Sequence, residues 1–142
     1  MNSLNATYET ALSIDDYLFI RKAQAWDDLE YSQGAMALKN SIFIISCKVD
    51  FKTIGFVRLI GDMATSFYIQ EIAVLPEYQN QGIGKELMKR AILFVKSCLK
   101  NDWKATIRLK SMPKAKSFYE NLGFVSFPNK DDKNSLMMLV IN

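Results

Sequence analysis

The chain contains no histidine. That removes any mechanism built on an imidazole base and most zinc sites. Its only two cysteines are Cys47 and Cys98. Cys47 sits in an apolar run and Cys98 near the end of an apolar helical pattern. Both read as core residues, making neither a disulfide framework nor a metal site. Three prolines and six glycines in 142 residues leave no Pro/Gly-rich linker, and there is no repeat or low-complexity segment. Apolar runs such as Ile42-Phe43-Ile44-Ile45 are far shorter than the ~20 residues of a membrane span. The first twelve residues lack the basic start and apolar stretch of a signal peptide. The expected compartment is a reducing cytoplasm.

One sign of charge is not dominant. Lys and Arg number 18 against 15 Asp and Glu, a net charge of +3, with no long basic run. Neither nucleic acid nor a membrane surface is an expected partner. Cations gather between Lys85 and Lys116, which suits either an anionic ligand or a solvated lysine-rich face. Apolar residues make up 49% and charged residues 23%, the balance of a soluble globular chain. The length falls within the common single-domain range of roughly 100–150 residues, so one domain is expected over residues 1–142.

Periodicity predicts an α+β, mixed α/β fold. Tyr8 to Leu12 reads as a first strand. Ser13 starts a helix that runs to about Ala25, and Tyr31 to Lys39 reads as a second helix. Ile42 to Val49 and Ile54 to Ile60 form a hairpin across Asp50-Phe51-Lys52. After the Gly61-Asp62 turn, Ser66 to Val74 is a third strand of this meander. From Gly82 the period changes: Ile83, Leu87, Ala91, Phe94 or Val95, and Cys98 repeat at helical spacing. Ala105 to Leu109 is a strand, Lys114 to Leu122 a helix stopping at Gly123, and Phe124 to Phe127 and Leu136 to Ile141 the last two strands.

The segment with chemical content is Gln79-Asn80-Gln81-Gly82-Ile83-Gly84. A strand ends at Pro76 and a helix begins near Gly82. The first turn of a helix leaves backbone N–H groups unpaired and carries partial positive charge, which together favour an anion such as a pyrophosphate. Glycines at 82 and 84 either let that anion approach the backbone or merely permit a tight turn and close helix packing. A dinucleotide fingerprint is incomplete, because Leu87 stands where its last Gly or Ala belongs, and no Gly-Lys-Ser/Thr follows for a Walker loop.

Val74 through Gly84 resembles motif A of the GNAT superfamily of acyl-CoA-dependent N-acyltransferases, Q/R-x-x-G-x-G/A. Phe118-Tyr119-Glu120-Asn121-Leu122-Gly123-Phe124 resembles its motif B, F-Y-x-x-x-G-F. The likeness covers about residues 40 to 127. It implies a central, mostly antiparallel sheet of six to seven strands, splayed between the fourth and fifth, with about four flanking helices. Acetyl-CoA would be the co-substrate, with no metal. Ile72, Ala73 and Val74 would bond its pantetheine arm like an added strand. Gln79, Asn80, Gln81, Gly82, Ile83, Gly84 and Lys85 would hold the pyrophosphate. Many relatives carry an Asn seven residues before the motif B tyrosine. Here that position is Met112, with Ser111 or Ser117 as replacements.

Amide formation requires a deprotonated amine, a polarised carbonyl and a protonated leaving thiolate. The resemblance places Tyr119 as the acid, since a phenol with a pKa of about 10 is protonated at neutral pH; the alternative is packing beneath Phe124. Glu71, a carboxylate in an apolar strand, is the candidate base; the alternative is an ion pair with Arg58 or Arg108. The catalytic Glu of some relatives aligns instead with Tyr68. Trp26, Asp27 and Asp28 lie where the family's acceptor pocket has its lid and suit a cationic amine; the alternative is an N-cap with acids in the first helical turn. The expected acceptor is a small-molecule amine, with a protein N-terminus or lysine, or CoA sensing without catalysis, as alternatives. The resemblance also admits a homodimer.

Overall fold

The computed structural model describes residues 5–127 and 136–142. In chain order the elements are β1 (Ala6–Glu9), α1 (Ile14–Ala23), α2 (Tyr31–Lys39), β2 (Phe43–Val49), β3 (Lys52–Gly61), β4 (Ser66–Val74), α3 (Ile83–Cys98), β5 (Ala105–Lys110), α4 (Lys116–Glu120), β6 (Val125–Ser126) and β7 (Leu136–Ile141). Short 3-10 turns precede α3 and α4, at Pro76–Tyr78 and Pro113–Ala115. The strands form one sheet in the order β1-β2-β3-β4-β5-β7-β6. Every neighbouring pair is antiparallel except β4 with β5. The fold is the mixed α/β arrangement expected from the sequence.

The first strand ends earlier than the predicted Tyr8–Leu12. Ser13 accepts the Asp16 N–H and caps α1, so the chain must leave the sheet before that cap. Asp15 and Asp16 occupy the first turn of α1 and Arg21 and Lys22 the last, the order that complements the helix dipole. The predicted Lys114–Leu122 helix divides into the 3-10 turn and α4 because Pro113 sets its start. Gly123 then closes it at φ 98°, its N–H bonded to the Glu120 carbonyl.

The sheet has two distinct faces. Phe43 lies opposite Leu59 in register, and its ring stacks on Phe94 of α3 at 4.2 Å, so Leu59 faces α3. The next rung pairs Ile44 with Arg58, and Arg58 reaches Ser41 at 3.1 Å and the Ala37 carbonyl of α2. The Arg58 face therefore carries α1 and α2. On the α3 side, Leu59, Phe67, Leu87, Met88, Ala91 and Ile107 are fully buried. Buried apolar side chains contribute about 1.5–3 kcal/mol each by leaving water. No helix among the described residues is long and apolar enough to cross a membrane.

The β4–β5 junction shapes the rest of the molecule. Only Ser66–Ile69 pair with Thr106–Leu109, although β4 continues to Val74. Beyond Ile69 the two strands part, as the resemblance implied. Against β3, Glu71 sits opposite Arg58 while Ile69 sits opposite Leu59. Gln70 is thus the extra residue of a β-bulge, which bends the strand at the fork.

Candidate active site

At roughly 3.3 Å per residue, the five residues from Gln70 to Val74 present about 16 Å of strand edge to the fork. Leu75 donates its N–H to the Ile54 carbonyl of β3 at 2.8 Å. Backbone direction alternates along a strand, so Ala73 also faces β3, while Ile72 and Val74 face the gap. The Val74 carbonyl is met from two sides, by the Gln24 side-chain amide at 3.1 Å and the Gln79 side-chain amide at 2.9 Å. A cavity of about 640 Å³ continues from the gap. Ile72, Ala73, Val74, Gln79, Asn80, Gly82, Ile83, Gly84 and Lys85 line it.

The loop geometry explains the mouth of this cavity. Asn80 has φ 62° and Gly82 φ 86°, left-handed conformations that asparagine and glycine tolerate best. They turn the chain so that α3 starts at Ile83. Its first helical bond runs from the Glu86 N–H to the Gly82 carbonyl at 3.1 Å, and no side chain caps this end. The N–H groups of Ile83, Gly84 and Lys85 are therefore free to take an anion. A Cβ on Gly82 would meet nothing within 4 Å, so backbone conformation demands glycine there. At Gly84 it would stand 3.6 Å from Phe118, an ordinary contact. Gln81 departs from expectation: its side chain turns back to the Glu77 carbonyl at 3.3 Å and is absent from the lining.

The sequence reading missed Gln24, Tyr78, Lys114, Ala115 and Phe118, which also line the cavity. Lys114 and Phe118 lie within the second motif segment and its approach. Gln24, the C-cap residue of α1, carried no local signal, because its role depends on a strand 50 residues away. Lys85 and Lys114 bring two of the Lys85–Lys116 cations to the mouth. Neither serine proposed in place of the family asparagine lines the cavity. Ser111 instead donates to the Met112 carbonyl at 2.7 Å.

Tyr119 is nearly buried. Its ring meets Phe118 edge-on at 5.0 Å and Phe124 at 6.0 Å, so the expected packing on Phe124 is present. Its hydroxyl makes no hydrogen bond among the described residues, and Tyr119 is not among the residues lining the cavity, whereas its neighbour Phe118 is. Burial pushes its pKa up to about 12, so the phenol is protonated throughout the neutral range.

Glu71 is not the solitary carboxylate that a free base would be. Its Oε1 accepts from the Tyr17 hydroxyl at 2.7 Å and from Arg58 Nε at 2.6 Å. Its Oε2 pairs with Arg21. Of the two partners foreseen, Arg58 is present, and Arg21 of α1 takes the place of Arg108. Both oxygens are therefore engaged, Oε1 by two donors and Oε2 by one cation. Burial and the bond to Glu71 raise the Tyr17 pKa. One carboxylate thus ties β3, β4 and α1 together beside the fork.

Trp26, Asp27 and Asp28 lie on the loop between α1 and α2. The Arg21 guanidinium stands 5.4 Å from the Trp26 ring centroid and donates to the Asp27 carbonyl at 3.0 Å. Asp27 and Asp28 line a small cavity of about 110 Å³ with Leu18, Arg21, Lys22 and Leu29. They are not the N-cap of α2, which is Glu30, and its first turn holds no acid. Among the described residues no group of three or more His, Cys, Asp or Glu is placed to hold a metal ion.

Comparison with known proteins agrees with this geometry. The family model of the GNAT acetyltransferase domain matches residues 39–126. The N-acetyltransferase ycf52 of Pyropia yezoensis is 33% identical over 108 residues, which cover 73% of this chain and 60% of that protein. The chain thus spans about three fifths of that relative's length. Protein SA2161 of meticillin-resistant Staphylococcus aureus superposes with a TM-score of 0.77 at 25% identity, covering 91% of this chain and 95% of that one. The paia N-acetyltransferase of Thermoplasma acidophilum, solved in complex with coenzyme A, gives 0.67 at 17% identity, covering 95% and 98%. With the motif segments, the fork and the family match in agreement, the chain belongs to the GNAT acetyltransferase family.

Proposed function

We propose that this protein transfers the acetyl group of acetyl-CoA directly to a primary amine of a small molecule in a ternary complex. The observation that carries this reading is the unpaired edge of β4, which leads straight to the uncapped first turn of α3. An extended polar arm fits the first and a pyrophosphate the second. The coenzyme A complex of the Thermoplasma acidophilum protein supports the same ligand class here. Acetyl-CoA supplies an activated thioester; the chain's residues hold and orient it. Ile72 offers its backbone groups and Val74 its N–H to the pantetheine arm, and the N–H groups of Ile83, Gly84 and Lys85 hold the diphosphate. The Lys85 and Lys114 ammonium groups add positive charge. Ala73 lines the wall, while its backbone faces β3.

Tyr119 is the proposed acid, delivering a proton to the departing sulfur. Its raised pKa keeps that proton available at working pH. Glu71 is proposed to act as an anchor: it holds Arg58 and Arg21, and through Arg21 the acceptor loop carrying Trp26, Asp27 and Asp28. The amine then loses its proton to solvent. Calorimetric titration with CoA, followed by thiol-release assays over a panel of amines, polyamines and peptides, tests the reading. CoA binding with turnover of small amines supports it. Turnover of peptides alone moves the acceptor to proteins, and binding without any turnover removes the enzyme.

A further inference from the structure

Arg108 differs from Arg58, the other arginine of the sheet, and from Arg21 of α1. Arg21 and Arg58 both pair with Glu71, whereas Arg108 makes no ion pair, hydrogen bond or ring contact among the described residues. Its position follows from register. Arg58 points to the α1/α2 face, so by alternation Ile60 does too. The rungs Ile60–Tyr68, Tyr68–Arg108, Arg108–Met138 and Met138–Val125 then carry that face across five strands. Residues paired in register share a face, so these five side chains form one row. Arg108 is its only charged member, with Tyr68 and Met138 half-buried beside it.

The row lies one rung before the fork, where the pairing of β4 with β5 ends at Ile69–Leu109. It is on the face that carries the α1–α2 loop, the proposed acceptor side. A guanidinium in an apolar row can keep its head in water with its stem on the sheet. Next to a transfer site it is also a ready partner for a carboxylate, through two parallel N–H donors.

We propose that Arg108 is a specificity-determining residue that binds a carboxylate on the acceptor, so that the acceptor is a small primary amine bearing its own carboxylate. This rests on the reading of the β4–β5 gap as the acetyl-CoA site. The reaction itself is unchanged. The N–C bond forms as the thioester C–S bond breaks, and of the two protons lost by the ammonium one goes to solvent and one returns to Tyr119, which has given its own to sulfur.

The test uses matched probes: glycine with glycinamide, leucine with leucinamide, and glutamate with glutamine, assayed by thiol release. The wild-type protein is compared with Arg108→Met and Arg108→Lys. Differences in intrinsic amine reactivity cancel between proteins. Charge-assisted bonds of this kind imply that Arg108→Met lowers kcat/KM for the carboxylate member about 10–100-fold more than for the amide member. Lysine, a point charge without the fork, restores part of that difference.

An unchanged carboxylate-to-amide ratio in Arg108→Met overturns the proposal, as does turnover confined to polyamines or peptides. If no probe is turned over, N-acetylleucine and N-acetylleucinamide are titrated into the CoA complex by NMR. Binding of the carboxylate lost in Arg108→Met upholds the proposal, and equal or absent binding in both proteins rejects it. CoA titration of each protein separates the two levels. A wild-type protein that fails to bind CoA refutes the reading of the gap. Intact CoA binding with no carboxylate discrimination refutes only the role of Arg108.

Discussion

Replacing Glu71 by glutamine removes the charge that two guanidinium groups and a phenol share. Arg58 Nε lies 2.6 Å from one carboxylate oxygen, the Tyr17 hydroxyl lies 2.7 Å from the same oxygen, and Arg21 pairs with the other. The Glu71 and Arg58 side chains retain under a tenth of their exposure, so water cannot take over. Arg21 Nε is already buried without a partner, which leaves the network no spare acceptor. Breaking a buried pair from one side costs about 3–5 kcal/mol. For a chain of this length that lowers Tm by roughly 10–20 °C. Scanning calorimetry of the wild-type and Glu71→Gln proteins at pH 7.5 measures it. Thiol-release kinetics below the variant's melting range then ask whether the folded fraction still turns over. The anchor role predicts a large loss of stability and, in the folded fraction, a rate whose pH profile keeps the parental shape. A melting temperature within about 2 °C of wild type, together with abolished turnover, would refute the reasoning and restore Glu71 as the base.

Four further outcomes concern Tyr119 and the two loop glycines. Tyr119→Phe lowers kcat by about 10²–10⁴-fold, the usual contribution of a general acid, while calorimetry finds CoA affinity unchanged; undiminished turnover ends the assignment. The Tyr119 pKa of about 12 lies above the ordinary ~10, so its stabilising effect is complete below pH 10 and is lost as pH rises toward 12. The loss is about 2–3 kcal/mol when complete, and urea titrations at pH 9 and 11.5 should show a larger fall in wild type than in Tyr119→Phe, where Tyr17 still contributes its own. Gly82→Ala forces a left-handed alanine and costs about 1–2 kcal/mol. Gly84→Ala meets only an ordinary contact with Phe118 and leaves the melting temperature the same or higher, yet weakens CoA binding by crowding the backbone donors.

The sequence carried the elements whose signals are local. The strands from Phe43 to Val74, marked by β-branched and aromatic runs between turns, the helical spacing from Ile83 and the glycine stop at Gly123 appear within a residue or two of expectation. The loop at Gln79–Lys85 was legible for the same reason, since an anion site at a helix start is built from consecutive residues. Legibility failed where partners are distant in the chain. Glu71 looked alone because Tyr17 and Arg21 approach from α1, and a single sequence does not say which face α1 covers. Gln24 was silent for that reason too. The β-bulge at Gln70, which decides the side to which Ile72 and Val74 present their backbones, leaves no mark in composition. Gln81 belonged to the motif segment, yet a turn carbonyl captured its side chain.

The central claim is that acetyl-CoA lies along the free edge of β4 with its diphosphate on the first turn of α3. Titration of the ¹⁵N-labelled protein with acetyl-CoA, followed by backbone amide NMR, tests it most directly. The account predicts saturable shifts concentrated at Ile72, Val74, Ile83, Gly84 and Lys85, with Thr7 and Lys48 on the far side of the sheet unmoved. Saturable binding that leaves those five amides in place and shifts another surface would contradict it, as would no binding at all.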